Sequence, residues 1–500
     1  FGSRAWLKSL WLSRPKHLYL QAMLRLLALC LAHSWAESCD DGTCSSNFLQ
    51  LAVTTGSDHP WPHSRGNDKL QSGVTELTFK MTSRAANWSW HHPDGQFSTM
   101  VAGGPVVDAE KNLFLMTMDG LWKFSPAGEV LWHYQTPGSS DFEPTISGDR
   151  VMSATTAGKA FAVDRHTGKE IWQTQLAEKA GQDAGYPIAC EGVFLATADT
   201  TGRDTMPFEI TPAGNRRLFG LSVATGQKLW DYATDECLYN SAPLCPGDGS
   251  TVIMDKTGSL YRLSLQTGEA IWKQAARDSQ HSSTDGGAGL GPNGLVYTCS
   301  NYGNATGGVH EPGVVRAYHV ETGHLEWEHL LPEPCCTFPA VGRIKGELLV
   351  IVTPGAFPSD FAAKPGSVLA LDAATGQPRW EFNGASVFFS RGDVKRLELG
   401  MENTTNLRAI CLPAQWSSPV ITGDGSVYVG RSDGNIYVVH GPKDGTGLLE
   451  SDWPGLVTDA ETGVQAQVFH VGSAPVHGAL AFAPEMMAFA TCDSLYVWRT

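Results

Sequence analysis

Cys335 and Cys336 are adjacent and stand just ahead of Pro339, where a β-rich run begins. Two neighbouring cysteines either join each other or bridge outward, and Cys299 and Cys411 are outward partners within the same region. Beyond Cys30 the chain holds ten cysteines, namely Cys39, Cys44, Cys190, Cys237, Cys245, Cys299, Cys335, Cys336, Cys411 and Cys492. The number is even and no paired CxxC zinc spacing occurs, so disulfides are the expected use. A second group carries oxygen chemistry. Glu143, Asp183, Asn240 and Asp285 each lie near the start of a strand pattern. Carboxylate and amide oxygens are the donors that hold hard cations, and a carboxylate serves as a general base. Other motifs fail on context. Gly289-Leu-Gly-Pro-Asn-Gly294 spells GxGxxG, but a strand follows where a dinucleotide fold needs a helix. Arg391-Gly-Asp393 spells an adhesion tripeptide, a match short enough to arise by chance. HExxH, P-loop and CxxCH haem-attachment sequences are absent.

The elements that must position these groups repeat along the chain. TGKEIW at 167–172 returns as TGQKLW at 225–230, TGEAIW at 267–272, TGHLEW at 322–327 and TGQPRW at 375–380, with a looser AGEVLW at 127–132. Upstream of these pairs lies a proline followed by apolar residues, at Pro105, Pro144, Pro187, Pro243, Pro339, Pro419 and Pro475. Between them run alternating segments such as GSVYVGRSDGNIYVV at 425–439, with Asp-Gly at the bend, a hairpin signal. Four short strands per unit, repeated every 40 to 80 residues, describe one blade of a β-propeller. Seven proline starts plus GGAGLGPNGLVYT at 286–298 make eight. The expectation is an all-β, eight-bladed propeller with four-stranded blades. The last blade, starting near Ser473, lacks a fourth strand, and ANWSWHHPDGQ at 86–96 resembles the other fourth strands; this N-terminal strand is expected to close the ring. Thr-Gly makes the turn, and Trp132, Trp172, Trp230, Trp272, Trp327 and Trp380 are read as packing between blades.

The unit GSVYV…DGNIYVV…ATGQPRW resembles the pyrroloquinoline-quinone (PQQ) repeat of quinoprotein-type propellers, over about 82–500. That family holds PQQ-dependent alcohol and glucose dehydrogenases, cofactor-free scaffolds of bacterial outer-membrane assembly, and luminal stress-sensing domains, so fold does not settle function. Quinoprotein alcohol dehydrogenases carry a vicinal disulfide beside PQQ, and the resemblance lends Cys335 and Cys336 that role, although CCTFPAV lacks the Asp-containing segment that follows the pair there. The channel-face residues that the resemblance offers for a cofactor are Glu143, Asn240, Asp285, Cys335, Cys336 and Trp416, with calcium as the accompanying cation. They do not reproduce the dehydrogenase ligand motifs. The reading is therefore a scaffold that binds a protein partner or small ligand on its elaborated loop face, with no predicted cofactor or metal. A PQQ-dependent dehydrogenase of alcohols or sugars is the alternative, and a luminal sensor domain the third. The loop insertions that elaborate this face are 200–216, 300–313, 353–366 and 384–416.

Bulk properties place the chain outside the cytosol. Lys and Arg number 36 against 51 Asp and Glu, a formal charge of −15, which argues against nucleic acid or an anionic membrane surface as the main partner. MLRLLALCLAHSWA at 23–36 has an apolar run too short to cross a bilayer and a small-x-small end at Ser34-Trp-Ala36, the pattern of a signal peptide. The expected organisation is a leader and signal peptide at 1–36, a poorly ordered linker at 37–81 and the propeller at 82–500, with no membrane span in the mature chain. Sequons at Asn87, Asn304 and Asn403 fit a glycoprotein of the secretory pathway.

Overall fold

A computed structural model describes residues 59–66, 73–96, 98–101, 103–140, 142–181, 185–201, 214–240, 242–276, 282–283, 286–302, 312–355, 365–386, 414–442 and 455–500. These belong to one compact unit, Gly56–Thr500, and every regular element among the described residues is a strand. Eight antiparallel sheets follow one another along the chain. Blade 1 runs from Val106–Val107 to Val130–Gln135, blade 2 from Thr145–Ser147 to Glu170–Gln175, and blade 3 from Ile188–Cys190 to Lys228–Leu238. Blade 4 has three strands, ending at Ala270–Gln274, and its inner position is reduced to the Leu244–Val252 bridge. Blades 5 and 6 end at Leu325–Leu331 and Pro378–Asn383. Blade 7 gains an outer fifth strand, Leu456–Thr458, against Val464–His470.

Blade 8 is Pro475–Ala483, Met486–Thr491 and Ser494–Arg499, and Trp88–His91 pairs antiparallel with the last of these, Trp88 opposite Val497. The chain's early strand therefore closes the ring, as the repeat count requires. Closure matters because an unpaired terminal blade would leave a sheet edge open.

The repeated glycine and tryptophan act across blades, not within one. Trp172 of blade 2 lies over Gly226 in the turn of blade 3, so close that a Cβ on that glycine would sit 2.5 Å from the ring, and its indole N–H donates to the Val223 carbonyl at 3.0 Å. The same docking joins Trp88 to Gly128, Trp132 to Gly168, Trp230 to Gly268, Trp272 to Gly323 and Trp327 to Gly376, six interfaces in all with Trp172. Gly226 has φ +71, so the position needs glycine for both backbone and space. Blade 7 carries Gln467 where a tryptophan would stand. The physical reason is local: the third and fourth strands of blade 8 are not joined by a turn, so the ring would have nothing to cover.

The compact unit begins earlier than the linker assignment allowed. Trp61 is fully buried, and Phe79 and Met81 join the core of blades 1 and 8. Residues 59–66 and 73–81 are packed chain because they hold apolar rings and backbone partners on the inner strands.

Candidate functional site

The inner strands of a propeller turn their free edges toward the ring axis, and here the chain's own residues 59–66 and 73–75 run along those edges. Trp61 exchanges backbone hydrogen bonds with Val107 of blade 1, and the Ile146 amide of blade 2 donates to the Pro62 carbonyl at 2.7 Å. The Trp61 ring meets Phe482 of blade 8 at 5.7 Å. Arg65 reaches the opposite side: its guanidinium donates to the Pro339 carbonyl at 2.9 Å and to the Ala288 carbonyl, and lies 4.3 Å over the Phe338 ring. Val74 then pairs in parallel with Ile421 of blade 7. Tyr186 and Phe338 meet edge-to-face at 5.2 Å and, with Ala242, form a small buried cluster beside Arg65. One segment thus contacts blades 1, 2, 5, 6, 7 and 8.

Glu143 does face this axis. It is buried, and its Oε1 accepts from the Gly104 amide at 2.7 Å, while Oε2 has no hydrogen-bond partner among the described residues. Burial holds its carboxyl well above the ordinary carboxylate range, against the opposing pull of the Gly104 amide and the Arg65 cation. Arg65 is shifted the other way by burial, down to about 9, with Tyr186 and Glu143 opposing. A guanidinium at that value stays charged at neutral pH, and its carbonyl and aromatic partners are what a buried cation needs.

The other candidates do not assemble around Glu143. Cys335 is bonded to Cys299 within blade 5, so the vicinal Cys335–Cys336 disulfide does not form; the Cα atoms of the observed pair lie 5.5 Å apart, within disulfide reach. Cys336 is buried and accepts from the Asn301 side chain at 3.3 Å. Trp416 is not a channel residue: it is buried between blades 6 and 7, against Tyr437 at 5.2 Å and beneath the Arg431 guanidinium at 4.7 Å. Asn240 is buried with φ 44 in the turn before blade 4. Asp183, Asp285, Arg391-Gly-Asp393, Cys411, Asn304, Asn403, the signal sequence and most of the loop insertions lie outside the described residues. Asn87 is exposed and its side-chain oxygen accepts from the Arg499 amide at 2.7 Å.

The carboxylates of the tight turns are engaged locally. Asp119 accepts from Thr117 at 2.8 Å and Thr99 at 3.1 Å, and Asp255 from Thr257 at 2.7 Å and Tyr261 at 2.9 Å. Among the described residues no three His, Cys, Asp or Glu side chains are grouped to hold a metal ion. Sequence reasoning missed the residues that fill the axis, Trp61, His63, Arg65, Tyr186 and Phe338. The signal was present in HPWPHSRG at 59–66, where aromatic and basic residues cluster between prolines in what otherwise reads as a tether.

Known proteins agree with the fold. The family described as outer membrane protein assembly factor BamB matches residues 117–305 and 221–446. A tetrathionate hydrolase of Acidithiobacillus ferrooxidans is 21% identical over 214 residues, 41% of this chain and 39% of that protein. The outer membrane protein assembly factor BamB of Shewanella oneidensis is 25% identical over 188 residues, 36% of this chain and 45% of that protein. This chain therefore spans less than half the length of either relative. A quinohemoprotein alcohol dehydrogenase structure from Comamonas testosteroni superposes with a TM-score of 0.60 at 10% identity, covering 91% of this chain and 82% of that one, a likeness of fold. With matches that together run from 117 to 446, the chain belongs to the BamB-like family of PQQ-repeat propellers.

Proposed function

We propose that this member of the PQQ-repeat family is a protein-binding scaffold in an oxidising compartment, and not a PQQ-dependent dehydrogenase. The observation that carries the reading is the axis of the ring. A quinone cofactor lies flat and needs an open slot with a cation and a base carboxylate beside it. Here Trp61, Arg65, Tyr186 and Phe338 take up that space, and the carboxyl that faces it, Glu143, is buried, which raises its proton affinity and disfavours the charge a cation would need. Cys335 is committed to Cys299. The residues present do not fit PQQ with calcium.

The assembly-factor relatives support a binding role. The disulfides Cys190–Cys245 and Cys299–Cys335, with Cys492 also disulfide-bonded, support an oxidising compartment such as the secretory pathway, as does the exposed sequon at Asn87. No helix among the described residues is long and apolar enough to cross a membrane.

The test is reconstitution of purified protein with PQQ and calcium, read by the cofactor's absorbance and by dye-linked oxidation of alcohols and sugars. Neither bound quinone nor turnover is expected. Quinone-dependent turnover that disappears in Cys335→Ser, with the fold unchanged, would promote the dehydrogenase.

A further inference from the structure

The outer strands of blades 1 to 4 share a feature the packing of the ring does not use. Immediately before the docking tryptophan, each exposes a large aliphatic side chain: Leu131 at 47%, Ile171 at 42%, Leu229 at 43% and Ile271 at 52%. Among the described residues each of these strands is the last of its sheet, so one side of its backbone has no ladder partner there. An exposed edge bearing aliphatic residues is a template for strand addition, which folded proteins ordinarily suppress. The other four blades have no exposed large aliphatic residue at that place. Blade 5 has Glu326 at the same position, and Leu330, though exposed, stands at the far end of its strand. Blade 6 opens its edge with Pro378-Arg379, blade 8 presents only the four residues Trp88–His91, and blade 7 covers its own edge with Leu456–Thr458.

Blade 7 also shows what fits. Its added strand runs antiparallel, Leu456 opposite Gln467 and Thr458 opposite Gln465, and brings an aliphatic residue, Val457, to the rim. We propose that the outer edges of blades 1 to 4 receive an extended, aliphatic-alternating segment of a partner polypeptide as an added antiparallel strand. The backbone row supplies affinity and the exposed aliphatic side chains select segments with apolar residues in register. This surface rests on the scaffold reading and names the class of partner.

The probe is a fluorescein-labelled peptide, Lys-Val-Thr-Val-Thr-Val-Thr-Lys capped at both ends, followed by anisotropy. The intact protein should bind it saturably. The combined variant Leu131→Lys, Ile171→Lys, Leu229→Lys and Ile271→Lys, which alters only exposed side chains, should weaken binding at least about tenfold, since lysine on an edge opposes pairing. Hydrogen exchange of the intact protein should slow at 130–135, 170–175, 228–233 and 270–274 when peptide is added. Unchanged binding in the lysine variant, or protection confined to other segments, overturns the inference. So does light scattering that shows a dimer abolished by the same substitutions, because the occupant would then be a second copy. Loss of this surface with no PQQ turnover leaves the scaffold reading standing, whereas PQQ turnover removes that reading on its own.

Discussion

Glu143→Gln should flatten the pH dependence of folding stability. The carboxyl lies buried beside Gly104, and burial raises its folded-state value well above the ordinary range. The sign follows from linkage. A raised folded-state value means that the native protein holds a proton which the unfolded chain releases at its normal carboxylate pH. The stability contribution is fully present below that pH and is lost as pH rises toward the folded-state value. Within that window one proton separates the two states, so stability falls by about 1.4 kcal/mol per pH unit from this group alone. Glutamine keeps an oxygen to accept the Gly104 amide and cannot ionise. Its neutral amide adds a pH-independent offset, which leaves the slope as the informative quantity. The assay is guanidinium unfolding at half-unit steps from pH 4.5 to 7, comparing the slope of stability against pH for parent and variant. The parent should decline more steeply just above pH 4.5, with the difference between the curves approaching one proton. Parallel curves would refute the reasoning, because Glu143 would then titrate alike in both states.

Two further outcomes test the ring itself. Trp230→Ala, which empties a buried site over Gly268, should destabilise by about 3–5 kcal/mol in chemical denaturation. Gly226→Ala places a methyl group within the Trp172 ring at φ +71, so it should lower the melting temperature clearly, whereas Gly192→Ala, at φ +83 with open space around it, should show only the backbone penalty.

The repeat was legible in the sequence because its parts are local. A Thr-Gly turn, a tryptophan at a fixed distance and an alternating hairpin each follow from a few adjacent residues, and counting them was enough for eight blades and for a closing strand near Trp88. Partnership over long separations was not legible. That Trp172 sits on Gly226, and not on Gly168 of its own repeat, depends on how neighbouring sheets stack. Cys335 faced three open partners, Cys336, Cys299 and Cys411, and only the strand register of blade 5 brings Cys299 within reach. Trp416 and Glu143 both precede inner strands, yet one packs between blades and the other meets the axis. Residues 59–66 show the limit most plainly. A short segment without a period looks like a tether in one dimension, and it is ordered because the free edges of inner strands from both sides of the ring converge there and hold its backbone, Trp61 and Arg65. Local chemistry sets the turns and strands; which residues share the axis is decided by the closure of the ring.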